Sequence, residues 1–508
     1  MTAKIFILIL WFFSIIKTVL FHSYFWQLKE YRLDRIIPHL KLKTGQDMIF
    51  SPLSLAKWIL ILLLLLAPMG IKTWLSFFVV LMFLVNSFIF LKKVLSRELY
   101  CPKFTLRASE IILGALLLAV LGLAWLFINN VSLGIFAFGL LCLERLVVFT
   151  VPLQVYLTRL PAFVGKEIKI RKAKERLKLA KNLKIIGVTG SYGKTSTKDF
   201  IAQILSKKYK VAKTRGTNNT KIGIAQNILK KIKKDTEIFV VEMGAYKKGE
   251  IADICQLVRP HIAVVTGINE QHLAIFGSLK NLIEAKYEII EALLKNGIAI
   301  FNGDNPYCLK MAQKAAKKFK TILYQEKKQE LKKKVPFVGQ HNRQNILAAI
   351  VVAKEMGMKD TEIKTAVAKL RPASRGLGEI KGINNITFIN DTFSSNPHGF
   401  LAALDYLQKF KSKTKIVITS GIIELGTASA KVHQEIGRKM QKKVDLVILT
   451  NNNFLNDIKK GMRKKAAKVI VESRSDKIIA TLKEKSPRVV VLLEGRLPAK
   501  IINSLRLK

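Results

Sequence analysis

KIIGVTGSYGKTSTK, residues 184–198, decides how the chain from here onward folds. A β-branched run (Ile185, Ile186, Val188) gives way to a glycine-bearing turn, and the residues from about Thr195 read as a helix. Strand, glycine turn and helix in this order form a setting in which backbone N–H groups and a helix N-terminus cradle phosphate. Gly190, Ser191 and Gly193 would line that cradle, with Ser196 in the first helical turn. Lys194 would reach the β- and γ-phosphates of a nucleotide, and the Thr195 hydroxyl would ligate Mg²⁺. The generic phosphate-loop pattern asks for glycine five places before Gly193, where this chain has Val188. Taken alone, the stretch is therefore also compatible with a purely structural glycine turn.

Downstream, short apolar runs alternate with helical stretches, which predicts parallel sheets flanked by helices. One run, Ile238–Val241, closes on Glu242. Ligands of open α/β sheets sit at the carboxyl ends of strands, so an acid there is placed for metal, with a helix-capping carboxylate as the plainer alternative. His272 follows a second run, Ile262–Thr266; a lone histidine is more often structural, and its place past a strand end favours a site. Lys286 reads by itself as a solvated helical lysine. Asn342 and Asn345 lie about one helical turn apart and can face one side. An amide offers donor and acceptor together, as an adenine edge does. Near Leu370–Lys381 the chain becomes turn-rich (RPASRGLGEIKG), a hinge into a further domain, where Lys415–Thr419, Asp445–Thr450 and Arg488–Leu493 predict a Rossmann-like sheet.

Upstream the composition changes. Residues 1–150 are far more apolar than the rest and contain the runs Ile5–Phe21, Ser51–Met69, Thr73–Leu91, Ser109–Ile128 and Val131–Phe149. Each approaches the roughly 20 residues that a helix needs to cross a bilayer. A cleavable signal peptide would explain the first run but not the others. Lys29, Arg32, Arg35, Lys41 and Lys43 separate the first two runs, with Lys57 near the start of the second, and Lys92, Lys93, Arg97, Lys103 and Arg107 separate the third and fourth. The intervening turns carry only Lys72. The positive-inside rule then places these basic loops and the C-terminal region in the cytosol and the N-terminus outside. Glu144 and Arg145 inside the last run are costly in lipid and read as a pair within or between helices, or as a substrate contact. The basic stretch 166–182 (KEIKIRKAKERLKLAKN) reads as a solvated linker helix or as one that adheres to anionic headgroups.

The chain has 508 residues, half of them hydrophobic, and a formal net charge of +50. Its basic residues are scattered across helices and not interleaved with aromatics in one stretch. That pattern favours an anionic membrane surface and a phosphorylated substrate over nucleic acid. Cys101, Cys142, Cys255 and Cys308 show no metal-ligand or CxxC spacing, which argues against a zinc site or a disulfide framework.

The downstream segments resemble the Mur ligase family one after another. TGSYGKTS matches its phosphate loop, TRGTNNTKIG (Thr214–Gly223) its Asn-rich substrate loop, and VVEMGAYKKG (Val240–Gly249) its strand ending in a magnesium-binding glutamate. PHIAVVTGINEQHLAIFGS carries His272, EAKYE holds Lys286 where the family has a carbamylated lysine, and GQHNRQNILAA matches its nucleotide-binding asparagine motif. Arg375 sits where the family has an arginine that reaches the ATP phosphates. ITFINDTFSSNPHGF resembles the DDxYNxNPxS segment, with Asp391 as the nucleotide-side acid and Asn396–Pro397 keeping the loop. Asn390, Phe393 and Ser394 depart from that pattern, which bears on the amino-acid substrate more than on ATP. GIIELG (Gly421–Gly426) and His433 also resemble the family, whereas Glu494 stands where its D-alanyl-D-alanine-adding members usually carry Lys.

The resemblance, nearest to those members, implies an α-helical transmembrane bundle followed by α/β domains. The expected division is a membrane region of about five helices (1–150), a basic juxtamembrane linker (151–182), a central ATP-binding P-loop domain (183–370) and a C-terminal Rossmann-like domain (371–508). It implies an ATP-dependent ligase in which a substrate carboxylate becomes an acyl-phosphate that an amine attacks. Lys194, Glu242, His272, Lys286 and Arg375 would be catalytic. Gly190, Ser191, Gly193, Lys194, Thr195, Ser196, Asn342, Asn345, Arg375 and Asp391 would bind ATP; Thr195, Glu242, His272 and carbamylated Lys286 would bind two Mg²⁺. Thr214, Asn218, Asn219 and Asn396 would meet substrate. Soluble members begin with a small UDP-sugar domain, and here the membrane bundle stands in its place. The expected partners are therefore an amino acid or dipeptide, a peptide or lipid-linked cell-wall precursor and membrane lipid, with no nucleic acid. Two other readings stay open: a poly-γ-glutamate-synthase-like membrane ligase, and a non-catalytic membrane scaffold with a relic ligase fold.

Overall fold

The computed structural model describes the chain apart from residues 1, 41–45, 47–50, 67, 97, 217, 272, 327–339, 372–377, 393–395, 412, 463–466, 486–487 and 506–508. It divides into two compact units, Met1–Glu167 and Ile168–Lys508.

The first unit is helical: α1 (Thr2–Leu28), α2 (Leu33–Leu40), α3 (Pro52–Leu66), α4 (Met69–Leu95), α5 (Leu106–Ile128) and α6 (Leu133–Leu157), after which α7 (Arg159–Lys178) runs on into the second unit. Among the described residues, four helices are long and apolar enough to cross a membrane: α1, α4 from Trp74, α5, and the stretch from Leu133. The second apolar run yields only the 15-residue α3, about 22 Å of helix at 1.5 Å per residue. Pro68, which lacks an N–H, stands at the N-cap of α4. Apolar side chains such as Phe77, Phe88, Leu117 and Trp125 face outward, whereas Ser14, Lys57, Asn86, Glu144 and Arg145 are buried. That arrangement is the reverse of a water-soluble bundle. The Lys57 ammonium lies 2.6 Å from a Glu144 oxygen, Arg145 lies 2.9 Å from the other, and the Thr18 hydroxyl donates to Glu144 at 3.0 Å. Glu144 and Arg145 therefore sit in a network joining α1, α3 and α6.

The second unit holds two sheets. The first contains β1 (Lys184–Thr189), β2 (Val211–Lys213), β3 (Ile238–Glu242), β4 (Ile262–Val265), β5 (Ile298–Asn302) and β6 (Lys320–Tyr324), ordered β2-β3-β1-β4-β5-β6 and parallel throughout. Ile186, Val188 and Val240 pack against one helical layer and Phe239, Val241 and Ala263 against the other. The order reverses beside β1, so its carboxyl end opens at the switch point where such sheets take ligands. The second sheet contains β7 (Gly378–Lys381), β8 (Thr387–Asp391), β9 (Thr414–Thr419), β10 (Leu446–Leu449), β11 (Lys468–Val471) and β12 (Val489–Glu494), ordered β11-β10-β9-β12-β8-β7. It is parallel except for the edge strand β7. The basic stretch after residue 166 continues α7, and Ile170 and Ala173 enter the core beneath the first sheet. Arg176 Nε donates to the Ile232 carbonyl at 2.8 Å.

Candidate functional site

The phosphate-loop stretch folds as β1, a turn at 190–193, and a helix, α8 (Lys194–Leu205). Two of its glycines are required by geometry. Gly190 has φ +144° and a Cβ there would stand 2.2 Å from Thr266 Oγ1; Gly193 has φ +75° and its Cβ would stand 2.5 Å from Asn345 Oδ1. Neither the backbone angle nor the space admits a side chain. The loop after β4 braces the turn: Ser191 N donates to the Gly267 carbonyl at 2.7 Å, and Thr266 donates its hydroxyl to the Tyr192 carbonyl.

Lys194 folds back over the turn, its ammonium donating to the carbonyls of Gly190 (2.7 Å) and Ser191 (3.1 Å). Burial lowers its pKa, and Glu242 partly offsets this. Glu242 ends β3 beside Val188 of β1 and is almost fully buried. One of its carboxylate oxygens accepts from Thr195 Oγ1 at 2.9 Å and Lys198 Nζ at 3.0 Å, and the other accepts from Asn219 Nδ2 at 3.3 Å. The Glu242 N–H donates to Thr214 Oγ1 at 3.1 Å. Thr214 and Asn219 are thus brought to the acid, and Asn218 lies against Gly223 in the same loop. The hydroxyl of Thr195 and the carboxylate of Glu242 converge as a hard, oxygen-seeking cation such as Mg²⁺ requires, so these two residues fit that ion.

Lys286 is buried, with its ammonium 3.5 Å from the Ala245 carbonyl. Burial, with help from Lys194, lowers its pKa to about 7, against the opposing pull of Glu250 and Glu288. As an amine it is no metal ligand; a carbamate formed on it would be one. Asn345 accepts the Thr197 hydroxyl at 3.1 Å, and Asn342, one turn earlier on the helix Gln340–Glu355, is buried with it. Ser196 occupies the first turn of α8. Asn396 caps the helix Pro397–Leu407, accepting from Gly399 N at 2.9 Å. His433 is buried between Ile422 N, whose hydrogen its Nε2 accepts at 3.1 Å, the Ser429 carbonyl and the Phe454 ring. His272 and Arg375 lie outside the described residues, as do Phe393 and Ser394. Asp391 closes β8 opposite Glu494 at the end of β12.

Several residues at the site go beyond the expected set. Lys198, one helical turn after Lys194, is wholly buried and pairs with Glu242. Tyr192 stacks on His398 with ring centroids 5.2 Å apart, and Asn269 reaches Asn396 at 3.4 Å and His398 at 3.1 Å. These contacts tie the phosphate turn to the loop leaving the second sheet.

A parallel sheet carrying a glycine-turn phosphate site, followed by a Rossmann-like domain, defines the class: a two-domain α/β nucleotide-type ligase fold. The Mur ligase middle domain matches residues 188–353 and the Mur ligase glutamate ligase domain matches residues 378–497. Together they span more than half of the chain, which belongs to the Mur ligase family. Among curated relatives, the UDP-N-acetylmuramoyl-tripeptide–D-alanyl-D-alanine ligase of Bacillus subtilis is 32% identical over 272 residues, 50% of this chain and 59% of the relative. The Escherichia coli ligase of the same name is 30% identical over 278 residues, 50% of this chain and 61% of its own length. The chain thus spans about three fifths of these relatives. A crystal structure of MurF from Acinetobacter baumannii is 25% identical with a TM-score of 0.59, covering 67% of this chain and 80% of that one. The MurF ligase of Thermotoga maritima, solved in complex with ADP, shares the fold at 24% identity and a TM-score of 0.57, covering 67% and 82%.

Proposed function

We propose that the chain is a membrane-anchored, ATP-dependent amide-bond ligase joining an amino acid or a D-alanyl-D-alanine-like dipeptide to a cell-wall peptide precursor. The observation that carries this reading is the phosphate turn: two obligatory glycines, Lys194 laid across it, and the Thr195–Glu242 pair beside it. ATP would phosphorylate a substrate carboxylate, an amine would attack the acyl-phosphate, and phosphate would leave. Little protein acid–base chemistry is needed; positioning and charge neutralisation dominate.

Lys194 would exchange the Gly190 and Ser191 carbonyls for the β- and γ-phosphates, with Gly190, Ser191, Gly193 and Ser196 around them. Thr195 and Glu242 would hold Mg²⁺, which supplies positive charge against the γ-phosphate and the carboxylate. The lowered pKa of Lys286 leaves much of its amine neutral near pH 7, the form that adds CO₂ to give a carbamate, with loss of a proton. His272 and Arg375 keep the metal and phosphate roles implied by the resemblance. Asn342 and Asn345 would face the nucleotide, Thr214, Asn218 and Asn219 would approach the acyl donor, and Asn396 would position its loop. The apolar outer surface of the helical unit and the basic loops favour a multi-pass anchor in the cytoplasmic membrane with the ligase domains in the cytosol. The acyl donor would then be met at the lipid surface, and a lipid-linked precursor suits that arrangement.

The test uses the full chain in phospholipid vesicles. Phosphate release from Mg-ATP should require both precursor-bearing lipid extract and D-alanyl-D-alanine. It should fall at least a hundredfold in Lys194→Ala, about 3 kcal/mol of lost transition-state stabilisation. Equal release by the two proteins removes the ligase assignment.

A further inference from the structure

Ser191 and Tyr192 stand between Gly190 and Gly193, the two glycines whose positive φ bends the phosphate turn. Glycine on either side admits that conformation and equally lets the turn leave it. A cradle of backbone N–H groups holds phosphate well when those groups already point inward, because ordering them on binding costs affinity. Whatever fixes Ser191 and Tyr192 therefore fixes the cradle.

Both residues are held from outside the turn. The Ser191 hydroxyl donates to the Asn269 carbonyl at 3.3 Å, and the Asn269 N–H donates to Ser191 Oγ at 3.2 Å. The Tyr192 ring lies against Gly267, where a Cβ would come within 2.3 Å of Tyr192 Cζ, and Asn305 Nδ2 donates to its hydroxyl at 3.4 Å. The His398 imidazole stacks on the same ring, with centroids 5.2 Å apart and planes 19° from parallel. His398 sits in the first turn of the helix Pro397–Leu407, whose N-cap is Asn396. It also bears on Ser191. Asn269 Oδ1 accepts the Gln271 N–H at 3.1 Å, which turns its Nδ2 towards His398. That Nδ2 donates to His398 Nδ1 at 3.1 Å, so Nδ1 is the acceptor and the ring hydrogen belongs on Nε2. One side chain of the second domain thus grips two consecutive residues of the turn: Tyr192 by stacking, and Ser191 by way of Asn269.

We propose that His398 is a positioning residue for the nucleotide: acting through Tyr192 and Asn269, it holds the phosphate turn in its binding geometry. The inference rests on the reading of that turn as the nucleotide-phosphate site and is independent of which amide bond is made. It gives the C-terminal domain a direct hand in the affinity of the central domain's cradle, because the helix that carries His398 belongs to the second sheet's layer, where Phe400, Ala403 and Leu404 pack. In the segment that resembles DDxYNxNPxS, His398 falls on the last unspecified position. The pattern therefore asks for no histidine there, and the pairing with an aromatic residue in the turn is a feature of this chain.

Mg-ADP titration of the full chain in detergent, read by calorimetry, tests this. His398→Ala should weaken binding roughly tenfold, the combined worth of one aromatic stack and one hydrogen bond. His398→Phe keeps a ring for Tyr192 and His398→Asn keeps an acceptor for Asn269, so each should bind roughly threefold more tightly than His398→Ala. In a Tyr192→Leu background the advantage of Phe over Ala at 398 should vanish, because no ring is left to stack on. Where Tyr192→Leu does not fold, Asn269→Ala replaces it, and the advantage of Asn over Ala is what should vanish. An affinity of His398→Ala indistinguishable from that of the unaltered protein overturns the role. So does an advantage that persists in those backgrounds, since the effect would then not run through the turn. An unaltered protein that binds no Mg-ADP retires the nucleotide reading of the turn, and this role with it, which tells the two failures apart.

Discussion

Replacing Lys198 with Met tests how the centre balances its charge. Lys198 and Glu242 are both buried at 3.0 Å, so the change leaves a carboxylate in the interior without a counter-charge. Removing one partner of a buried ion pair costs roughly 3–5 kcal/mol. The lower end applies, because Thr195 and Asn219 still donate to Glu242. In detergent-solubilised full chain without divalent ions, the unfolding midpoint should fall by roughly 6–12 °C, at about 2–4 °C per kcal/mol for a domain of this order of size. A cation held by Thr195 and Glu242 would supply the missing charge. Saturating Mg-ADP should therefore stabilise the variant more than the unaltered protein; a hundredfold excess over Kd alone is worth about 2.7 kcal/mol. An unchanged midpoint without Mg²⁺ would show that the pair carries no energy. A smaller Mg-ADP gain in the variant would show that Glu242 does not face the metal.

Gly193→Ala places a methyl 2.5 Å from Asn345 Oδ1 at φ +75°; it should cost about 1–3 kcal/mol of stability and at least tenfold in ADP affinity, measured by calorimetry. Asp391 and Glu494 hold protons in the fold that the unfolded chain releases, so stability should fall as pH rises from about 4 to about 7 and beyond. Asp391 alone caps its share near 4 kcal/mol, at about 1.4 kcal/mol per unit, and its half-open position reduces this. Glu494→Gln should flatten that slope in unfolding midpoints taken between pH 5 and 8, and an unchanged slope would rule the pair out as its source. Lys57→Leu leaves Glu144 with Arg145 and Thr18 and should lower the midpoint of the helical unit in detergent, at a cost of about 3 kcal/mol.

What could be read in advance follows from how local each signal is. The phosphate turn is encoded within one segment, because strand, glycines and helix are contiguous in Lys184–Lys198. Glu242 was legible for a related reason: an acid closing an apolar run already lies at a strand end. Lys198 was not, since a lysine four residues into a helix reads as solvated until β3 brings Glu242 beneath it. Asn396 carried a readable signal of a different kind, an Asn before Pro that marks a helix cap, and the fold uses it so. In α7 the three-residue spacing of Ile170 and Ala173 was the trace of a buried stripe, masked by the basic residues around it. The carboxyl pair is the furthest from legible. Asp391 and Glu494 stand at opposite ends of the C-terminal domain's sequence and meet only because β12 inserts between β8 and β9. That insertion also aligns them at the switch point. Read along the chain Glu494 is an isolated acid; across the sheet it stands in register with a second one.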